Sequence, residues 1–333
     1  MRVAAADQRG EMRLPRPGRF ELVAAAFVAA TVALAVQTAH GWTGDDFGIY
    51  GRAGRTLLSA SSLHAYHSPL VQAGPLELAL DGSLWHLHGW PVPLAIISDV
   101  LVALLLVGAV LMFVGRKTLA LALVCGGALA LGLTTHPYTL GHFAEPISAV
   151  LWIAAAREAQ RGRVVRGGVL VALAGALEPW GILGISVLAL APRLRDAAKG
   201  AAVAGGVFLA LFAPWLLSGD FRMLTYHWHV TGGPLSLVIP GHAFGWPLRV
   251  LQAAIVLAVV VPLARRVRGL AGAIFIVPAA AAIVRLAIDP MGTYYYWDMP
   301  LVIELVGAGA AIASLDRIQA WAGSRFARVP AAG

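Results

Sequence analysis

Apolar runs long enough to cross a lipid bilayer recur along the whole chain, separated by short polar segments. A membrane-spanning α-helix needs about 20 residues to cross a hydrocarbon core of about 30 Å. Runs that approach or reach this length with their flanks are 20–38, 91–114, 119–135, 146–156, 201–217, 248–263, 270–288 and 301–315. The pattern predicts an all-α polytopic membrane protein with about eight full transmembrane helices.

One further apolar stretch, 169–191, has basic segments on both sides, so both of its ends are expected on the same side of the membrane. The stretch is too short to cross twice as α-helices that rise 1.5 Å per residue. Its middle contains Glu178-Pro179-Trp180-Gly181, a helix-breaking sequence. We therefore predict a re-entrant helical hairpin with its apex in the membrane. A single span that departs from the charge rule is the alternative.

The basic residues set the predicted orientation, because cytoplasmic loops of membrane proteins are enriched in Lys and Arg. Arginines before residue 20 place the N-terminus inside, and the later basic clusters fit the same assignment at every loop. The first run is expected to remain as a signal anchor. The prediction is a cytoplasmic tail (1–19), a single transmembrane domain (20–315) whose first outer loop is 39–90, and a cytoplasmic tail (316–333). We expect the plasma membrane, with the longer polar loops outside.

The composition agrees with a membrane protein and excludes other classes. Hydrophobic residues make up 59% of the chain and charged residues 13%, whereas a soluble domain carries about a quarter charged residues. The net charge of +8 comes from short clusters between apolar runs, so no nucleic-acid partner is expected. Cys125 is the only cysteine, which excludes an intrachain disulfide.

Polar residues gather on the predicted outer face, where all ten histidines fall. Three charged residues, Asp99, Arg285 and Glu304, lie in the outer halves of predicted spans. Charges at this depth are costly and are expected to face a cavity or a partner. Arg285 and Glu304 either form a structural ion pair, or Arg285 binds an anionic group such as a lipid phosphate.

The first outer loop predicts a short amphipathic helix in the membrane interface, because Phe47, Tyr50, Gly54, Leu57 and Leu58 recur at helical spacing. Asp45 and Asp46 stand at its start. One of them is expected either to cap the helix or to act as a general base at the boundary between water and lipid.

Other chemistries are not supported by motifs. The chain has no phosphate-binding P-loop and no HExxH motif. His227 and His229 alternate like metal ligands, as do His86 and His88, but this spacing suits ligation only in an extended segment. We assign no residue to a metal.

The first outer loop resembles the C-type, membrane-integral glycosyltransferases, whose pattern is an acidic residue followed by F-x-x-Y-x-x-A-G-R-x-L-L. The similarity is greatest to the bacterial, largely actinobacterial branch of polyprenyl-phosphate-mannose-dependent mannosyltransferases. The residues that carry it are Asp46, Phe47, Tyr50, Ala53, Gly54, Arg55, Leu57 and Leu58.

A second block is also similar to that family and extends the resemblance to about residue 190. It contains Gly141-His142, Glu145, the segment 154–157 and the 168–181 hairpin. The family often has Lys-x-Trp where this chain has Glu178-Pro179-Trp180. The later part matches in hydropathy and in a W-P-x-R-x-x-Q segment at 246–252.

The resemblance implies that a carboxylate of the first outer loop deprotonates an acceptor hydroxyl, which displaces a lipid phosphate from the sugar with inversion. It assigns the base to Asp46, with Asp45 as second candidate. Arg285 is our candidate for the lipid phosphate on physical grounds, because it is a buried cation. Further candidates for substrate binding are His142, Glu145, Tyr50, Arg55, His227 and His229.

The predicted function is transfer of mannose or arabinose from a polyprenyl-phosphate donor to an envelope glycan or glycolipid on the outer face. The expected partners are the lipid-linked donor, the acceptor and membrane lipids. No cofactor is expected beyond the donor substrate. Two alternatives remain open: a transporter or flippase of a lipid-linked intermediate, and a catalytically silent partner protein with the same fold.

Overall fold

The structure is a computed structural model, which describes residues 17–39, 45–231 and 233–326; the side chains of Asp45 and of residues 316–326 are outside the described part. It is mostly helical. The α-helices are α1 Arg19–Thr38, α2 Asp45–Leu57, α3 Pro75–Leu84, α4 Pro91–Phe113, α5 Thr118–Ala130, α6 His136–Leu140, α7 Ala144–Gln160, α8 Val164–Leu177, α9 Leu194–Ser218, α10 Trp246–Val267, α11 Ala273–Ala287 and α12 Asp298–Phe326.

Five helical segments are long and apolar enough to cross a membrane: Arg19–Thr38, Pro91–Phe113, Leu194–Ser218, Trp246–Val267 and Tyr294–Leu315. Many large hydrophobic side chains on their surfaces are exposed, as expected where lipid replaces water. The expectation of a helical, membrane-embedded protein is confirmed. The count of eight spans stays a prediction, because the other apolar helices are shorter than a full crossing.

Helix α7 lies at the centre of the bundle and packs against α4, α8, α11 and α12. It is rich in alanine, and such small residues let neighbouring backbones approach closely. Trp152 on α7 is fully buried and donates from Nε1 to the Gly181 carbonyl at 2.9 Å. The centre of the bundle is therefore joined to the segment that follows α8.

Helix α8 and the 3₁₀-helix Pro179–Leu190 form an antiparallel hairpin. Gly167 faces Leu188, and Gly175 faces Ile182 nearer the apex. At rises of 1.5 and 2.0 Å per residue the two limbs extend about 21 and 24 Å, short of a full crossing. The two helices thus pack as an antiparallel pair, while the re-entrant hairpin stays a prediction.

The apolar face of α2 packs on protein, because Phe47, Tyr50 and Ala53 are buried and α2 contacts α3 along its length. A Cβ atom on Gly54 would collide with the backbone of Leu78 and Gly82 on α3. Leu58 is exposed. The amphipathic pattern therefore describes mainly a helix that covers α3, and α2 begins at Asp45, so both acidic residues belong to its first turn.

The segment between α9 and α10 contains a small antiparallel sheet, a departure from a purely helical fold. Strands β1 Trp228–His229 and β2 Ala243–Phe244 pair with Trp228 opposite Phe244. Trp228 is buried and His229 is exposed, as alternation along a strand requires. The sheet holds the Trp228 ring above the start of α10, where Arg249 stacks on it.

Candidate functional site

Asp46, His142 and Tyr295 meet at one end of the bundle, although they are far apart in sequence. His142 Nε2 lies 2.7 Å from Asp46 Oδ2, and the Tyr295 hydroxyl donates to the same oxygen over 3.5 Å. The Tyr295 ring stacks on the imidazole at a centroid distance of 3.8 Å. The Asp46 side chain is one-third exposed and that of His142 is 2% exposed. The imidazole thus holds a solvent-accessible carboxylate in place.

The backbone turn at Gly141 places His142 beneath α2. Gly141 has a φ of 74°, a left-handed conformation that favours glycine, and it ends α6. A side chain there would also meet the backbone and Cβ of Phe47. Glycine therefore permits the close approach that brings the imidazole to Asp46, and the Gly141-His142 pair of the sequence pattern acquires a structural reason.

Four carboxyl groups are buried near His142: Glu77 and Asp81 on α3, Glu145 on α7 and Glu178 at the hairpin apex. The Phe143 N–H donates to Glu77 at 2.9 Å. Both oxygens of Asp81 and of Glu145 lack a hydrogen-bond partner among the described residues. Burial raises the pKa of Glu77, and the neighbouring Asp81 adds to the effect. Burial likewise raises the pKa of Asp81.

His142 lies within this acidic cluster, with Nδ1 3.7 Å from Glu145 Oε2. Burial alone would lower its pKa, but the surrounding carboxylates of Glu145, Asp46 and Glu178 outweigh burial and raise the pKa to about 10. The imidazole is therefore positively charged near neutral pH and pairs with Asp46. His142, Glu145 and Glu178 also offer ligand atoms that all lie within 4.8 Å of one another, a spacing suited to a metal ion.

A cavity of about 240 Å³ opens beside this cluster. Aromatic and aliphatic side chains form much of its wall, together with a few polar groups. The lining residues are Tyr50, Gln72, His142, Glu178, Pro179, Trp180, Ile182, Leu183, Trp228, Trp246, Arg249, Val250, Gln252, Ala253, Tyr295 and Tyr296. Val250 is 68% exposed on the outer surface of α10. The cavity therefore reaches the lateral surface of the bundle, and Asp46 lies at its edge against His142 and Tyr295.

Two arginines lie near the cavity and share Asp289. Arg249 Nη1 is 2.9 Å from Asp289 Oδ2, and Arg285 Nη2 is 3.1 Å from the same oxygen. Burial opposes ionisation of Asp289, but the two arginines outweigh it and lower its pKa. Arg285 also lies between the Trp180 and Tyr296 rings, 3.8 and 4.2 Å from their centroids.

The structure places the predicted site residues unequally. Tyr50 and His142 line the cavity, and Glu145 is buried behind it. Arg285 is 1% exposed and does not line the cavity; Arg249 does. The ion-pair partner of Arg285 is Asp289 and not Glu304, which is exposed on α12.

The other candidates are farther from the cavity wall. Arg55, His227 and His229 are exposed and are not among the lining residues. The side chain of Asp45 is outside the described part of the chain. Asp99 accepts the Tyr138 N–H at 3.3 Å and is buried on α4. Of the predicted charged residues, Asp46, His142 and Glu145 are the ones brought together.

Several residues of the site were not singled out from the sequence. Glu77 and Asp81 are four residues apart on α3 and face the same side of the helix, so their spacing was an available signal. Arg249 lies in the W-P-x-R-x-x-Q segment. Tyr295 belongs to a run of three tyrosines, a composition that is also typical of an interfacial aromatic belt.

The remaining histidines with described partners have structural contacts. His64 and His67 each place Nδ1 2.8 Å from a different oxygen of Asp220, joining the first loop to the segment after α9. Their hydrogen bonds lower the pKa of the partly buried Asp220 carboxyl. His136 Nδ1 is 2.8 Å from Asp298 Oδ2.

Comparison with known proteins gave no match among family models, curated proteins or solved structures. Function is therefore inferred from the geometry of the site and from the sequence patterns around Asp46 and His142.

Proposed function

We propose that the protein is a membrane glycosyltransferase, which transfers mannose or arabinose from a polyprenyl-phosphate donor to an envelope glycan or glycolipid. The observation that carries the proposal is the Asp46 carboxylate, held by His142 at 2.7 Å at the edge of a partly apolar cavity. Asp46 is also the acidic residue of the D-F-x-x-Y-x-x-A-G-R pattern. Geometry and pattern select the same residue independently.

Asp46 is the proposed general base. Its Oδ2 takes the His142 hydrogen bond, so Oδ1 in the partly exposed side chain receives the acceptor hydroxyl proton. The hydroxyl oxygen forms a bond to the anomeric carbon while the bond from that carbon to the phosphate oxygen breaks. Polyprenyl phosphate leaves with the bonding electrons, and the sugar inverts. His142 is a positioning residue that fixes the carboxylate.

The cavity suits an amphipathic lipid donor. Its apolar wall reaches exposed Val250 on α10, which gives a polyprenyl chain a path from the bilayer. Arg249 lines the same cavity and is our candidate for the phosphate contact, since guanidinium groups bind phosphate through paired hydrogen bonds. Arg249 and Arg285 together carry one more charge than Asp289, which favours an anion. Arg249 therefore replaces Arg285 as the proposed direct phosphate ligand.

In the proposed orientation, the cavity lies on the outer, non-cytoplasmic side of the plasma membrane. The opposite end of the bundle contains the arginine clusters, and positive loops remain cytoplasmic. The α8 hairpin would then enter from the cytoplasm and bring Glu178 to the cavity without crossing. Eight spans with both termini inside complete this topology. A flippase would move lipid-linked sugar without transferring it, and a silent partner would do neither.

The test is transfer of labelled sugar from polyprenyl-phosphate mannose and polyprenyl-phosphate arabinose to membrane acceptors by protein in lipid nanodiscs. We expect transfer from one donor, reduced by a factor of about 10²–10⁴ in Asp46→Asn. Asp220→Asn is the matched control, because that aspartate pairs with His64 and His67 away from the cavity. Transfer that survives Asp46→Asn would contradict the proposed base, and movement of donor across the bilayer without transfer would favour a flippase.

A further inference from the structure

His142, Glu145 and Glu178 converge from three parts of the chain on one buried point. His142 lies in the turn before α7, Glu145 in the first turn of α7 and Glu178 at the apex of the hairpin. All three side chains are buried, with relative exposures of 2%, 0% and 6%. One ligand atom from each lies within 4.8 Å of the other two. Three potential ligands therefore share a space the size of a coordination sphere.

The polar atoms that face this space lack partners. His142 Nδ1 and both Glu145 carboxylate oxygens are buried without a hydrogen-bond partner in the described part of the chain. Nδ1 is 3.7 Å from Glu145 Oε2, which is too long for a hydrogen bond. Leaving such groups unsatisfied costs about 1–3 kcal/mol each, and more for charged groups. The arrangement is costly unless something binds between them.

The second nitrogen of His142 already has the partner that metal-bound histidines usually have. Nε2 lies 2.7 Å from Asp46 Oδ2, so its proton is donated to a carboxylate. This hydrogen bond fixes the ring orientation and leaves Nδ1 directed at Glu145. Metal-binding imidazoles almost always donate their other N–H to a carboxylate or carbonyl oxygen in this way.

The surrounding charges also call for a cation. Glu77 and Asp81 add two buried carboxyls to those of Glu145 and Glu178. The arginines nearest to the cluster pair with Asp289. Protons are one means of neutralising such a buried cluster, and a divalent cation is the other.

We propose that His142 Nδ1 and the carboxylates of Glu145 and Glu178 bind one divalent transition-metal ion, of the Mn²⁺ or Zn²⁺ type. One nitrogen and two carboxylate ligands favour these ions over Mg²⁺ and Ca²⁺, which prefer all-oxygen sites. Ligand atoms at about 2.1 Å from a metal lie at most about 4.2 Å apart, so any pair farther apart than this must move closer on binding. Binding replaces the Nδ1 proton of His142, which is released to solvent.

The position of the ion indicates its role. His142 and Glu178 line the cavity, so an ion held by them would lie beside the space assigned to the donor. An ion there would add positive charge to the same cavity that Arg249 lines, and would favour a phosphate group there. This role rests on the proposed glycosyltransfer, whereas binding of the ion does not.

The experiment measures metal binding directly, without donor or acceptor. Protein purified in zwitterionic detergent is stripped with EDTA and titrated with Mn²⁺, and free Mn²⁺ is followed by its six-line electron paramagnetic resonance signal. The absence of anionic headgroups removes binding to lipid. We expect one equivalent bound per chain, and competition by Zn²⁺. Thermal unfolding of the same stripped samples is expected to shift upward with Mn²⁺.

Glu145→Gln, Glu178→Gln and His142→Gln are the test variants, and each is expected to weaken Mn²⁺ binding at least about a hundredfold, because each loses a direct ligand. Glu304→Gln and His64→Gln are matched controls; both residues are exposed and away from the cluster. Monodisperse elution and a cooperative melt establish that each variant is folded. Glu178→Asp, which keeps a shorter carboxylate, is expected to recover part of the affinity.

The proposal is overturned if stripped wild-type protein binds neither ion, or if the folded ligand variants bind Mn²⁺ as tightly as the controls. Both outcomes leave the glycosyltransferase proposal standing, since Asp46-dependent transfer is measured separately. Conversely, one Mn²⁺ bound by the wild type and lost in the ligand variants supports the site even when no donor is turned over.

Discussion

The charged residues at the two ends of the helix bundle differ in their exposure and in their hydrogen bonding. At one end, arginines are at least partly exposed and bind backbone carbonyls: Arg265 donates to Ala189 at 3.1 Å, and Arg268 donates to Pro192 at 2.7 Å. At the other end, Glu145 and Glu178 are buried beside His142, and Glu145 has no hydrogen-bond partner in the described chain. The first arrangement satisfies the carbonyls at a helix end, and the second leaves polar groups unsatisfied.

This difference suggests a structural role for the arginines and a chemical role for the buried carboxylates. Cations at the C-terminal end of a helix stabilise the last carbonyls and need no ligand. Unpaired buried carboxylates cost stability and persist where a substrate, a proton or a metal completes them. We therefore interpret the cavity end as the candidate functional end. At the other end, Arg265 and Arg268 bind carbonyls at the base of the hairpin whose apex contains Glu178.

The largest loss of stability and activity is expected from a change at the contact between α2 and α3. Gly54→Ala inserts a Cβ into the backbone of α3, displacing α2 and with it Asp46. We expect destabilisation of about 1–3 kcal/mol or more and loss of transfer. Gly48→Ala is the control on the same helix, because a Cβ there meets only the Arg52 side chain at 3.7 Å. Equal melting temperatures for the two variants would show that the α2–α3 contact is looser than described.

The acidic cluster predicts a pH dependence of stability that the arginine end does not have. The pKa of Asp81 is raised in the folded protein, so stability is greatest below the unfolded pKa of about 4 and falls as pH rises through the folded value. The slope is at most about 1.4 kcal/mol per pH unit for one proton.

Thermal unfolding of metal-free protein between pH 5 and 8 measures this slope. We expect wild-type stability to fall with pH and Asp81→Asn to flatten the fall. Asp220→Asn is the control, since the pKa of that carboxyl is lowered and not raised. A wild-type protein that becomes more stable as pH rises over this range would contradict a raised pKa of Asp81 in the folded protein.

Arg265→Gln tests the structural role of the opposite end. It removes donors to the carbonyls of Ala189, Ala191 and Pro192. We expect a loss of about 1–3 kcal/mol, because these are hydrogen bonds from a charged group, with unchanged transfer per folded molecule. Arg266→Gln is the exposed neighbour for comparison. A fall in turnover number without a fall in stability would place chemistry at this end as well.

The smallest effect is expected at Tyr295. Tyr295→Phe removes a long hydrogen bond of 3.5 Å to Asp46 and keeps the ring that stacks on His142. The turnover number is expected to fall less than about tenfold, because a hydrogen bond of this length is weak. Tyr294→Phe changes an exposed neighbour and is expected to have no effect. A drop comparable with that of Asp46→Asn would make Tyr295 a direct participant.

Hydropathy and charge predicted the helical, membrane-embedded fold, because both depend on local sequence. The re-entrant position of the hairpin around Glu178 and the role of Asp46 stay predictions. The pairing of Asp46 with His142 depends on the turn at Gly141, which local pattern does not place in space. Arg285 was the candidate for the phosphate contact because it is a charged residue in the outer half of a predicted span. Its ion pair with Asp289 becomes visible only in the packed bundle.

The most direct test of the cavity end is a cryo-electron microscopy structure with a non-hydrolysable polyprenyl-phosphonate sugar analogue. The phosphonate is predicted beside Arg249 and the sugar next to Asp46. The polyprenyl chain is predicted to extend past Val250 into the bilayer. An analogue bound instead among the arginines near Pro192, or on the lipid-facing surface without contact to the cavity, would contradict the division of the molecule into a functional and a structural end.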